Sequence, residues 1–160
     1  MNIDIIYADY LDPKQSKDIA YLLDCYARDP MGSDAPLPES VKDNLANALS
    51  QVPNAFSVIA YVDGKPAALT NCFQGFSTFK CKPLINVHDL MVLSEFRRLK
   101  LSHLMLEKVE QRAREIGCCK VTLEVLEGND MAQRSYAKFG FQGYELDPEM
   151  GKALFWEKAL

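Results

Sequence analysis

Histidine is scarce here: among 160 residues only His88 and His103 carry an imidazole. Neither has a cysteine or carboxylate partner at the spacings usual for metal ligands, so no metal site is expected. The five cysteines (Cys25, Cys72, Cys81, Cys118 and Cys119) are odd in number and include no CxxC pair. Buried reduced thiols are the expected state, and a cysteine nucleophile is a poor candidate. Basic excess is missing too. The net charge of −4 argues against a nucleic-acid partner, since such domains usually carry a basic surplus. No apolar run approaches the roughly 18 residues a membrane span needs, and MNIDIIYADY lacks the positive start and apolar stretch of a signal peptide. No membrane partner is expected, and the cytoplasm is the expected compartment.

What remains is ordinary globular material: 48% hydrophobic and 25% charged residues in 160, enough for one domain over residues 1–160 with a sizeable core. Ile3, Ile5 and Tyr7 give a short strand signal. Ile19, Leu22, Leu23 and Tyr26 mark a helix over about 14–28, which Asp29-Pro30 and the stretch from Gly32 to Pro38 break. A second helix is predicted over about 39–51, with Val41, Leu45, Ala48 and Leu49 inward and Pro38 in its first turn. Strands over about 55–62 and 65–75 flank Asp63-Gly64, the strongest hairpin signal in the chain. A loop with Ser77-Thr78 leads to a strand over about 84–92.

The second half carries most of the information. A long helix with Leu106, Val109, Ala113 and Ile116 on one stripe ends near Gly117. Val121, Leu123 and Val125 alternate as a strand, a short helix begins near Asn129, and two last strands are expected at Phe141–Glu145 and Ala153–Lys158. The order β-α-α-β-β-β-α-β-α-β-β predicts a mixed sheet flanked by helices. The long helix opens on Arg97, Arg98 and Lys100. Cations are unfavourable at a helix start unless an anion compensates, so the cluster points to a bound phosphate.

The stretch HDLMVLSEFRR with its following helix, then Asn129, Ala132, Tyr136 and Gly140-Phe141, resembles the GNAT superfamily of acetyl-CoA-dependent N-acetyltransferases. The likeness extends over nearly the whole chain. It implies an α/β (α+β) fold with a mostly antiparallel mixed sheet, helices on its faces and a splayed central strand pair. It departs from the family's Arg/Gln-x-x-Gly-x-Gly/Ala turn in one respect. Lys100 and Ser102 stand where small residues are expected, and Arg98 where glycine is frequent.

The resemblance also implies the chemistry. Acetyl-CoA would donate an acetyl group to a primary amine of a small molecule or peptide, by direct attack. Leu90, Met91 and Val92 would bind the pantetheine through their backbone. Arg97, Arg98, Leu99, Lys100, Leu101, Ser102 and His103 would hold the pyrophosphate, and Asn129 and Ala132 would contact the pantetheine arm. Tyr136 would sit near the cofactor sulfur and protonate the leaving thiolate. Without its neighbours in the motif, Tyr136 would read as a packed helix tyrosine. His88 has a pKa suited to proton transfer near neutrality, and a base and a sheet-bound structural residue are even readings of it. Strand alternation sends Asp89 to the opposite face from His88. The resemblance allows a homodimer. The alternative function is an impaired module that binds acyl-CoA or a protein partner without turnover, suggested by the missing glycines. Asp29, Asp34, Glu39 and Asp43 give weak grounds for a cationic acceptor.

Overall fold

The computed structural model describes residues 1–144 and 147–160. Strand β1 (Ile3–Tyr7) leads to helices α1 (Pro13–Arg28) and α2 (Glu39–Gln51). Strands β2 (Phe56–Val62), β3 (Lys65–Ser77) and β4 (Lys82–Val92) follow, then α3 (Leu101–Glu115), β5 (Val121–Leu123) and α4 (Asp130–Phe139). The sheet runs β1-β2-β3-β4-β5. The first three pairings are antiparallel, and β4 with β5 is parallel.

Local chemistry sets most boundaries. Asp12 caps α1 by accepting from the Gln15 N–H at 2.8 Å, with Pro13 in the first turn. Asp63 and Gly64 hold φ of 48° and 77°, the two left-handed residues that a tight β2–β3 hairpin requires. Pro38 is the residue before α2 rather than within its first turn, and only Ala46 and Leu49 of that helix are buried. Val41 and Ala48, expected inward, are exposed.

The sheet is covered on both sides, which explains the unbroken burial of β2 and of the middle of β3. One face packs Val58, Ala60, Ala68, Ile85 and Val87 against Leu101, Met105, Leu106 and Val109 of α3. The other packs Ile59, Leu69 and Met91 against Ile19 and Leu22 of α1 and Leu49 of α2. Burying each such aliphatic side chain contributes about 1.5–3 kcal/mol. Ile116, expected on the inner stripe of α3, caps its C-terminus and is 39% exposed.

The two last strands do not form among the described residues: 141–144 and 147–160 are irregular, and Glu145 lies outside the described residues. The physical reason is the partner. Strand β5 is three residues long, too short an edge to template a further ladder. One backbone bond, from Ala153 N–H to Tyr144 O at 3.3 Å, joins the two segments. No helix is long and apolar enough to cross a membrane among the described residues.

Candidate active site

The site is built where β4 outruns β5. Their register covers Ile85, Asn86 and Val87 against Val121, Thr122 and Leu123 and then stops, leaving the rest of β4 without a strand neighbour on that side among the described residues. The Leu93 N–H donates to Ala67 O of β3 at 2.9 Å. Backbone groups alternate in direction along a strand, so Met91 also faces β3 while Leu90 and Val92 turn theirs to the open edge. The expectation for Met91 is corrected accordingly: its backbone is paired within the sheet and its side chain is buried.

The start of α3 lies beside this edge. Arg98 has φ 82°, and Lys100 is left-handed at φ 58° and ψ 26°. Residues with a Cβ adopt that conformation at a cost of roughly 1–2 kcal/mol. The glycine-like backbone is thus retained without glycine. Ser102 is helical and needs no such freedom. Among the described residues no hydrogen bond is donated by the N–H groups of Arg98, Lys100, Leu101 or Ser102. The helix has neither a side-chain cap nor an acidic residue in its first turn.

The side chains here are weakly committed. The Arg97 guanidinium lies 3.8 Å from the Asp29 carboxylate and is half exposed. Arg98 and Lys100 are exposed, Leu99 is partly buried and Leu101 is buried in the core. The Ser102 hydroxyl sits 3.4 Å from that of Ser135, linking α3 to α4. His103 packs edge-to-face on Phe139, with its Nε2 3.4 Å from Glu107.

Helix α4 supplies the other wall. Asn129 Oδ1 accepts from Ala132 N–H at 3.1 Å, so this side chain is an N-cap first, with its Nδ2 still free to donate. Gly140, at φ 117°, ends the helix by bonding its N–H to Tyr136 and Ala137 carbonyls, and Phe141 N–H also bonds Tyr136 O. Half-buried Tyr136 packs edge-to-face on Phe141. Burial pushes its phenol up to about 12, and the nearby Tyr26 phenol pushes the same way. Tyr26 is itself raised by burial and then by Asp89. Tyr136, Tyr26 and Asp89 therefore share one region, although the spacing of Tyr26 reads only as a core position.

Asp89 and His88 overturn their expected separation. In the β3–β4 register Asn71 faces Asp89 while the next residue, Cys72, faces Val87, so His88 bulges without a partner. A bulge resets side-chain alternation. His88 stacks edge-to-face on Phe73, and Asp89 Oδ2 accepts from Asn71 Nδ2 at 2.9 Å. Phe73 packs on the α1/α2 side, and Asn71, two residues earlier, shares that face. His88 and Asp89 therefore look the same way. His88 is exposed.

Two cavities, of about 300 Å³ beside Cys118, Cys119 and Phe141 and about 380 Å³ beside Tyr7, Tyr10 and Arg112, are lined by none of Leu90, Val92, Arg97 to His103, Asn129 or Tyr136. The free β4 edge, the uncapped start of α3, Tyr136 and the His88–Asp89 pair make up the candidate groove.

No curated protein matches the sequence. Among solved structures, an aminoglycoside acetyltransferase from an uncultured soil metagenomic sample, in complex with trehalose, superposes at TM-score 0.79 with 16% identity, covering 99% of this chain and 96% of that one. AAC(6')-Iy in complex with the bisubstrate analogue CoA-S-monomethyl-acetylneamine gives TM-score 0.78 at 16% identity, with both chains fully covered. A ribosomal-protein-alanine N-acetyltransferase from Brucella melitensis biovar Abortus 2308 gives 0.68 at 17%, covering 91% of this chain and 99% of the other. These likenesses speak to the fold. The sequence itself matches the acetyltransferase (GNAT) family profile over residues 17–141, and the chain belongs to that family.

Proposed function

We propose that this acetyltransferase moves the acetyl group of acetyl-CoA to a primary amine of a small molecule or peptide by direct attack. The observation that carries it is the start of α3: four N–H groups without acceptors, beside three cations and next to an unpaired strand edge. That donor set fits a pyrophosphate, because backbone donors and the helix dipole both favour an anion there. Arg97, Arg98 and Lys100 add charge, and Leu99 to His103 supply the backbone of the cradle. The edges of Leu90 and Val92 fit the amide-bearing pantetheine arm, with Asn129 Nδ2 and Ala132 on the other side.

The chemistry is a substitution at the thioester carbon. The amine nitrogen bonds to that carbon, and a free N–H of the β4 edge stabilises the oxygen as charge develops on it. His88 takes the amine proton, which its exposure lets it pass to water. The C–S bond breaks, and Tyr136, held protonated by burial, donates its proton to the departing sulfur. Positioning supplies the remainder, with no covalent bond to the protein.

Folds this similar include enzymes named for aminoglycosides and for a ribosomal protein, so the acceptor is left as an amine class. The second reading is a module without turnover, motivated by the missing glycines; the positive φ of Arg98 and Lys100 supports the enzyme instead. Acetyl-CoA at millimolar concentration should raise the melting temperature by several degrees, since a ligand at about 100 times its Kd adds roughly 2.7 kcal/mol. CoA release should follow when spermidine, kanamycin or a free-amine peptide is added. An unshifted melting curve would sink the cofactor site, and a shift with no release across a broad amine panel would restore the non-catalytic module.

A further inference from the structure

A buried polar chain crosses the otherwise apolar α1/α2 face of the sheet and ends on Asp89. Ser57 and Asn71 are 0% and 2% exposed. The Tyr10 hydroxyl is 2.8 Å from Ser57 Oγ, Ser57 Oγ is 2.6 Å from Asn71 Oδ1, and Asn71 Nδ2 is 2.9 Å from Asp89 Oδ2. The proton order follows from valence. An amide oxygen can only accept, so Ser57 donates to Asn71; its single hydrogen is then committed, and Tyr10 must donate to Ser57. Asn71 in turn donates to the carboxylate. Each donor points toward Asp89, and such aligned bonds reinforce one another in a dry interior.

Both ends of the chain are anchored. Ser16 Oγ donates to Tyr10 O at 2.8 Å, and Thr70 Oγ1 donates to the backbone O of Asp89 at 2.7 Å. Sheet stability alone does not require this. Apolar side chains of similar volume would satisfy the same space without desolvating an amide and a hydroxyl. The chain instead fixes one carboxylate oxygen and leaves the other to the groove. Among the described residues Asp89 Oδ1 accepts no hydrogen bond. The β4 bulge sets that oxygen on the same face as His88.

We propose that Asp89 is the residue that receives the acceptor's ammonium group, and that Asn71 is its positioning residue, itself held by Ser57 and Tyr10. The acceptors are then cationic amines: the neighbouring imidazole takes one ammonium proton and passes it to water so that the free amine can attack, and takes the second as the amide forms. This rests on the acetyl-transfer reading and adds to it the charge class of the acceptor. An amide cannot pass a proton along this chain without tautomerising, so its part is orientation.

The test is calorimetric titration of spermidine into the full-length protein, with and without saturating CoA. Asp89→Asn keeps an acceptor for Asn71 and removes only the charge, so spermidine should bind about tenfold or more weakly while CoA affinity and melting temperature hold. Asn71→Ala should weaken spermidine several-fold, and Tyr10→Phe about twofold, in keeping with distance along the chain. Should Asn71→Ala fail to fold, Tyr10→Phe and Asn71→Ser report on the same chain. Equal spermidine binding by wild type and Asp89→Asn overturns the proposal, as does a wild type that takes up none. A weakened Asp89→Asn beside wild-type binding in the folded Asn71 variants overturns the positioning role. Failure of the wild type to bind CoA would overturn the acetyl-transfer reading instead, while the titration without CoA still reports on Asp89.

Discussion

Helices α3 and α4 touch through the Ser102 and Ser135 hydroxyls, 3.4 Å apart, and their starts solve the same problem in opposite ways. Any helix start presents N–H groups that its own turns cannot satisfy. At α4 the chain answers this locally: the Asn129 side chain accepts from Ala132 N–H and Asp130 complements the dipole, while Gln133 Nε2 donates to the carbonyls of Leu126 and Glu127 and ties down the loop before the helix. At α3 it does the reverse, placing two residues at positive φ and leaving a first turn with no cap and no acid. A start that is costly in isolation persists where something outside the chain completes it. In the proposed reaction this contrast would put affinity at α3 and, through Tyr136, chemistry at α4.

The largest expected effect lies on α4. Tyr136→Phe keeps the edge-to-face contact with Phe141 and removes one proton. Turnover should fall by about 10²-fold, within the range usual for a positioned general acid, while acetyl-CoA affinity changes little. The sign of the pH dependence is fixed by the raised phenol. A group held at about 12 stays protonated through the neutral and mildly alkaline range, so a loss of rate below pH 10 must arise elsewhere. Steady-state kinetics on a working amine, paired with a melting curve, checks this. Undiminished turnover in a folded Tyr136→Phe protein would remove Tyr136 from the mechanism and break the division between the two helices.

Next in size is Lys100→Glu, which in the proposed cofactor site would set a carboxylate against the phosphates in place of a charge-assisted contact. CoA affinity should drop by about tenfold or more, with kcat at saturation nearly unchanged. Isothermal titration at two ionic strengths reads both the loss and its salt dependence. Equal affinity for wild type and variant would move the phosphate away from α3.

Asn129→Ala tests the other start. Loss of an N-cap costs about 1 kcal/mol, which for a chain of this length lowers the melting temperature by roughly 3 °C. If Asn129 Nδ2 also holds the pantetheine, the variant loses CoA affinity beyond the stability change. Asn129→Ser, which restores the cap without the amide, separates the two. Full recovery of affinity in the serine variant would leave Asn129 as a cap alone.

The sequence displayed these helix starts unequally. Periodicity located every helix and five strands, because apolar runs on a sheet covered on both sides and stripes on amphipathic helices are local signals. The family motif located Asn129, Tyr136 and Gly140, whose places at the cap, in the body and at the end of α4 are set by residues within a few positions. The β4 bulge was not legible, since an extra residue opposite Asn71 depends on the register between two strands and leaves no mark in either one alone. That is why Asp89 reads as facing away from His88. Ser57, Asn71 and Tyr10 were missed for the same reason: each is an unremarkable polar residue until three strands and a loop bring them together. The last two strands fail in the other direction. Their alternation is real, but Leu154, Phe155 and Trp156 stay exposed, and the three-residue β5 gives a ladder little to extend.

The smallest expected effect tests the backbone itself, stripped of charge arguments. Arg98 holds φ 82° without glycine, and Gly140 holds φ 117° with it. Arg98→Gly should relieve roughly 1–2 kcal/mol of left-handed strain. Glycine's larger freedom in the unfolded chain offsets about 0.4–1 kcal/mol of that, leaving a net gain of about 0.5 kcal/mol. Gly140→Ala, with open space around a new Cβ but the same positive φ, should shift stability by a similar or larger amount in the opposite direction. Chemical denaturation of the ligand-free variants reads both signs. CoA binding then sharpens the result, because the N–H groups of the cradle survive in Arg98→Gly and only one exposed cation is lost. Affinity should fall by no more than about threefold, as expected of a single screened charge. A destabilised Arg98→Gly would show that residue 98 is held by its side chain and not strained by it, and the contrast between the two helix starts would then rest on Lys100 alone.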